Sequence, residues 1–266
     1  MTRQHNLQPR TPARTVPLLL LAFLLLPAIA ALPSTNLFLQ PGHPDGIALL
    51  PPPPGPGSSE ESADLATVRS VFHGRTPAEE KRAVTDSGLS FSLFTPAIGP
   101  AFDLARLPKT DALLRQVKKE IGDIIDTPKK HWKRRRPYQL DPGLSLGQPE
   151  ESASYPSGHS TRGTVYSLVL AEIFPDHKED ILAIGRDIGW DRVVIGKHFP
   201  TDIYAGRVLG TAIVRELLKS PGFQRDLAEA QAEVGGRKTE VGGQRAEVGS
   251  QKSEVGGQKA EDRSQK

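Results

Sequence analysis

The sequence predicts an all-α protein: a single helical-bundle domain with an extended proline-rich arm before it and a disordered tail after it. Apolar residues recur at helical spacing in several separate segments. The period-two alternation of a half-buried strand is scarce throughout. Helix-start chemistry, a hydroxyl residue followed by acids or by proline, also precedes the first periodic stretches.

Taken in order, residues 1–30 read as a secretory signal peptide. Arg3, Arg10 and Arg14 precede an apolar run from Val16 to Ala31, and Ala28-Ile29-Ala30 supplies a small-x-small cleavage pattern. A retained membrane anchor is the competing reading, but the run is short against the roughly 20 residues of a span. Residues 31–56 end in Leu50 and the four prolines Pro51 to Pro54, a sequence suited to an extended polyproline arm.

The domain is expected over 57–234. Ser58-Ser59-Glu60-Glu61 starts one helix, and Thr76-Pro77-Ala78-Glu79 starts another with proline where its missing donor does no harm. Leu113, Leu114, Val117, Ile121, Ile124 and Ile125 form one face of a helix over 108–126. Helical spacing recurs in 165–174, in 181–195 and in 203–218. A seven-residue unit then begins at Ala232-Glu233-Val234-Gly235-Gly236-Arg237-Lys238, with copies at Thr239, Ala246 and Ser253 and a degraded one at Ala260. One valine and up to two glycines per unit cannot build a two-position apolar seam, so 235–266 is expected to be a disordered low-complexity tail.

Composition excludes several function classes. There is no cysteine among the 266 residues, which removes disulfides, thiolate metal sites and cysteine nucleophiles. The formal charge is +3, from 34 basic and 31 acidic residues, but three of the basic residues lie in the leader. The mature chain is therefore neutral, a poor basis for nonspecific nucleic-acid binding.

Three strings carry chemistry. Lys129 and Arg136 stand seven apart, so on one helix they would share a face and converge on an anion; the same basic run could be a solvated surface. Pro156-Ser157-Gly158-His159 precedes a helical pattern, which would put free N–H groups and the Ser157 hydroxyl where an anion can bind; a capped helix start with a packed histidine fits equally. His198 and Asp202 are one helical turn apart, so the carboxylate can hold the Nδ1 proton, and Arg192 lies six residues upstream with a fork suited to phosphate. A structural salt bridge is the plain alternative for that group. His5, His43, His73 and His177 suit solvated or capping roles. No residue pattern has metal-ligand spacing, so no metal is expected.

The three strings in this order resemble the phosphate site of the phosphatidic-acid phosphatase type 2 superfamily, which includes the vanadium haloperoxidases. Within it the chain is most similar to the class A bacterial non-specific acid phosphatases. Ser154-Tyr155 before the second string, Leu50 with its four prolines and Ala205-Gly206-Arg207 extend the likeness over about 45–234. The resemblance implies a helical bundle of the acid phosphatase/haloperoxidase type. It implies His198 as nucleophile, Asp202 as its partner and His159 as general acid, with Lys129, Arg136, Ser157, Gly158 and Arg192 holding phosphate oxygens. It implies small-molecule phosphate monoesters as substrates, no cofactor and a periplasmic or secreted location, and leaves a homo-oligomer open. A haloperoxidase, a lipid or diphosphate phosphatase, and a non-catalytic secreted anion-binding module are the alternatives. Asp191 departs from the family pattern, which has serine there. An ionised carboxylate in that place either weakens anion binding or points elsewhere.

Overall fold

The computed structural model describes residues 37–144 and 146–236, and within them every regular element is helical. The expected signal peptide, the first residues of the expected arm and the repeat tail beyond Gly236 lie outside the described residues. Among those described, no helix is long and apolar enough to cross a membrane.

Local chemistry explains the first helices. A single turn, α1 (Gly46–Leu49), is capped by Asp45. α2 (Ser59–Gly74) begins where the Ser58 hydroxyl accepts from the Glu61 N–H at 3.1 Å. α3 (Pro77–Asp86) opens with a capping box: Glu79 accepts from the Thr76 N–H, and the Thr76 hydroxyl accepts from the Glu79 N–H. A short 3-10 turn (Phe91–Phe94) leads into α4 (Thr95–Ile98).

α5 (Pro108–Trp132) buries the apolar face expected of it, Leu113, Leu114, Val117, Ile121, Ile124 and Ile125. Its first N–H groups are satisfied from far along the chain. Glu233 accepts from the Lys109 and Thr110 N–H groups, each at 3.0 Å. That carboxylate belongs to α10, a helix over 221–236 whose Phe223, Leu227, Ala230 and Val234 join the core. The first valine of the tail repeat is thus a packed residue. The arm is held in a similar way: the Glu120 carboxylate accepts from the N–H groups of Phe38 and Leu39, whose side chains are buried in the same core.

The centre of the molecule is α7 (Gly158–Ile173), packed between α8 (Lys178–Val194) and α9 (Pro200–Leu217). It has no single apolar face because it is buried on nearly every side. Small residues let the neighbours approach. A Cβ on Gly185 of α8 would lie 2.5 Å from the Ser167 Cβ, and one on Gly206 of α9 would lie 2.7 Å from the Ser157 carbonyl oxygen. This contact fixes where the ends of α7, α8 and α9 meet. The site is built on those ends.

Candidate active site

Each motif occupies the end of an element. Lys129, 5% exposed, is in the last turn of α5, where its ammonium donates to the Ala153 carbonyl at 2.6 Å. α5 then stops. Lys133 takes a left-handed conformation (φ 51°) and closes the helix through its N–H to the Lys129 carbonyl. Arg136, immediately before Pro137, is extended (φ −87°, ψ 159°) and caps the short α6 (Pro137–Leu140). The expectation that Lys129 and Arg136 share one helix face is therefore corrected: a break separates them, forced by the left-handed cap and the pre-proline restriction. They converge because the chain turns between them.

Ser157 caps α7, and its backbone N–H donates to the Asp202 carbonyl at 3.0 Å, tying the second motif to the third. A Cβ on Gly158 would stand 2.9 Å from the Arg162 guanidinium and 3.7 Å from the Lys129 Cε, so glycine admits both cations against the helix start. Arg192 lies in the last turn of α8, and its carbonyl accepts from the N–H groups of Lys197 and His198. That reversal needs Gly196, whose φ is +69° and whose added Cβ would overlap the Leu144 carbonyl. It places the His198 side chain beside the ends of α5 and α7.

His198, 1% exposed, is held from both sides. Its Nδ1 lies 3.2 Å from Asp202 Oδ2, and Arg136 Nη1 donates to its Nε2 at 3.3 Å. A guanidinium can only donate, so Nε2 presents a lone pair and Nδ1 carries the proton. His159 is oriented by the Ser87 carbonyl, 3.2 Å from its Nε2, which must therefore be the protonated nitrogen. The Ser87 hydroxyl in turn accepts from Arg192 Nη1 at 2.7 Å. Between the guanidiniums of Arg136 and Arg192 sits one carboxylate, Glu150. It is paired with Arg136 at 2.7 Å and makes a very short contact with Arg192. The arrangement is an anion cradle already bridged by an internal anion.

The middle of the chain, residues 121–226, matches the PAP2 superfamily. The chain is 31% identical over 201 residues to an acid phosphatase of Zymomonas mobilis, covering 72% of this chain and 76% of that one. A non-specific acid phosphatase of Providencia stuartii is 30% identical, covering 71% of this chain and 80% of its own length. The non-specific acid phosphatase of Salmonella typhimurium is 29% identical over 229 residues, 80% of this chain and 91% of that one. The chain belongs to the acid phosphatases of the PAP2 superfamily. It is an enzyme, and its class is phosphatase.

In this acid phosphatase the burial of the cradle controls protonation. Burial, reinforced by Arg136, Lys129, Arg192 and His159, pushes His198 well below the ordinary histidine range, so it is neutral. Burial and the Arg192 charge bring His159 down to about 4, against partial support from Ser87 and Glu150. Lys129 is lowered to about 7 by burial and by Arg136, and Arg192 to about 10 by burial. Glu150 is opposed by burial, yet Arg192, Arg136, His159 and Lys129 hold it below the usual carboxylate range. Among the described residues no group of three or more histidines, aspartates or glutamates is placed to hold a metal ion.

Four further residues act on the site, and of these only Ser154 is marked in the sequence, through the family likeness. Arg134 forks between Asp202 (2.7 Å) and Asp64 (2.9 Å), both buried. The Ser154 hydroxyl donates to Asp202 at 2.5 Å, and the Phe199 N–H adds a third bond to that carboxylate at 2.9 Å. Ser87 brings the C-terminal end of α3 into contact with both His159 and Arg192. Glu150 occupies the cradle. Arg134 was hidden in a run of consecutive cations, and a loop glutamate carries no local signal at all. Asp191, the departure from the family pattern, faces away from the cradle. Its two oxygens accept from Arg82 of α3 at 2.8 and 2.9 Å.

Proposed function

We propose that this phosphatase is exported and hydrolyses a broad range of small phosphate monoesters without a metal, through a phosphohistidine on His198. The tautomer of His198 carries this reading: a neutral imidazole with Nδ1–H on Asp202 and an Nε2 lone pair turned to the cradle is a nucleophile in the ready state. Nε2 attacks phosphorus while the ester P–O bond breaks. His159, in its protonated form, delivers a proton to the leaving alkoxide. Water then attacks the phosphohistidine with His159 as base, the N–P bond breaks, and inorganic phosphate leaves.

Asp202 stabilises the imidazole as it becomes positive. Lys129, Arg136, Arg192, the Ser157 hydroxyl and the Gly158 N–H supply the positive field for the equatorial oxygens, a task that elsewhere falls to a metal ion. The positive leader and the Ala28-Ile29-Ala30 pattern support export, with the mature chain starting at Ala31.

The test is hydrolysis of p-nitrophenyl phosphate by the purified mature chain with and without EDTA, together with acid-free trapping of the phosphoenzyme. Turnover should persist in chelator, a phosphoryl adduct should map to His198, and His198→Ala should lose at least about 10³-fold in kcat. Full turnover in that variant, or dependence on added metal, rejects the mechanism.

A further inference from the structure

The carboxylate of Glu150 bridges the two guanidiniums that the phosphate site depends on, and nothing in the proposed chemistry uses it. Its position is not accidental to the loop. The segment 146–153 is tied across the site as a strap, with bonds at several points. Lys197 donates to the Gln148 carbonyl at 2.8 Å, and its ammonium lies 4.9 Å from the centre of the Tyr138 ring. The Tyr138 hydroxyl binds Glu150 twice, donating to its carbonyl at 3.2 Å and accepting from its N–H at 3.0 Å. Arg136 Nε donates to the Ser152 carbonyl at 2.9 Å. With the strap so placed, Arg136 and Arg192 are 1% and 2% exposed, so no ester reaches them unless it moves.

We propose that Glu150 is an internal competitor for the phosphate cradle, a carboxylate on a movable strap that substrate must displace and that thereby sets the affinity for phosphate esters. The proposal rests on the reading of this cradle as the phosphate site. The chemistry of exchange is balanced in the right direction. Glu150 leaves the buried Nε–H of Arg192 without a partner, whereas a tetrahedral anion with three free oxygens can take both faces of that fork. Substrate therefore gains a donor that the plug cannot use. The apparent dissociation constant is raised by the fraction of molecules in which the plug is seated. A carboxylate held by two buried guanidiniums is seated most of the time.

The experiment compares wild type with Glu150→Gln, Glu150→Ala, Tyr138→Phe and the control Glu151→Gln, which removes the same charge from the exposed neighbour. Orthovanadate and inorganic phosphate binding are measured by calorimetry, and KM and kcat with p-nitrophenyl phosphate. Both Glu150 variants should bind vanadate and phosphate about tenfold more tightly and show a matching fall in KM. Tyr138→Phe, which loosens the strap but keeps the carboxylate, should shift both constants in the same direction by less. Glu151→Gln should leave them where they are. Unchanged or weaker anion binding in the Glu150 variants overturns the proposal, as does an equal gain in Glu151→Gln. Binding is read without turnover, so a wild type that hydrolyses no ester would reject the proposed function while the calorimetric comparison still decides the role of Glu150.

Discussion

Arg134 is the residue whose role the geometry raises most above its sequence context. One guanidinium holds Asp202 and Asp64 together, and it stacks 4.0 Å above the Phe199 ring. Asp202 thereby keeps its Oδ1 on Arg134 and turns Oδ2 to His198, so Arg134 positions the carboxylate that fixes the tautomer. It also neutralises part of the charge that would otherwise stabilise a protonated His198. Lysine retains the charge but reaches only one carboxylate. Arg134→Lys should lower kcat by roughly tenfold with KM nearly unchanged, since the loss falls on the transition state. With Asp202 less engaged, the pKa of His198 rises, so the acid limb of kcat/KM against pH should move to higher pH. A merely structural defect would lower activity without moving that limb, and an unmoved limb rejects the positioning role.

At the level of elements, α3 is the piece whose docking is tuned by protons. Its Arg82 pairs with the fully buried Asp191 of α8, and Asp86, 7% exposed, lies within reach of the same carboxylate. Burial, with the Asp191 hydrogen bond and charge, raises Asp86 to about 7 despite Arg82. Because the folded-state value lies above the unfolded one near 4, the stability contributed is fully present below about pH 4 and is lost as pH rises through about 7. Asp86→Asn keeps the hydrogen-bonding shape without the ionisation. It should therefore melt a few degrees higher than wild type at pH 8, corresponding to roughly 1–2 kcal/mol, with a gap that narrows steadily as pH falls toward 4. Equal melting temperatures at pH 8 would sink the assignment. The helices themselves were largely legible. Ser58, Thr76 with Pro77, and the apolar face from Leu113 to Ile125 are local signals, and local chemistry sets those elements. The break between Lys129 and Arg136 was not legible, because a spacing of seven is also two turns of helix. Nor could the sequence say which of Lys133, Arg134, Arg135 and Arg136 turns inward. Arg134 and Arg136 do so because a left-handed cap and a proline redirect the chain between α5 and α6.

For the whole molecule, the cradle is a stability cost carried by the packing of α7 against α8 and α9. Buried cations meet at those helix ends, and the apolar core offsets them at about 25 cal/mol per Å² removed from water. The cost is visible as depressed basicity: Lys129 falls to about 7 and His159 to about 4. Both lie below their unfolded values, so the unfolded chain binds more protons, from about 4 to 6.5 through His159 and from about 7 to 10.5 through Lys129. Stability through these groups rises with pH across each window. A tetrahedral dianion in the cradle reverses the imbalance by favouring their charged forms, so its binding must take up protons. Sulfate suits the measurement because it does not itself titrate between pH 6 and 8, and Glu150, already ionised throughout that range, contributes no proton when displaced. Sulfate binding should tighten by up to about tenfold from pH 8 to pH 6, the range in which Lys129 gains its proton. Calorimetry in buffers of different ionisation enthalpy should show net proton uptake at pH 7. Lys129→Met should bind sulfate more weakly and flatten the pH dependence. A dissociation constant independent of pH in the wild type would mean that Lys129 is already fully charged in the free protein, and that its burial between α5 and α7 does not tune the cradle.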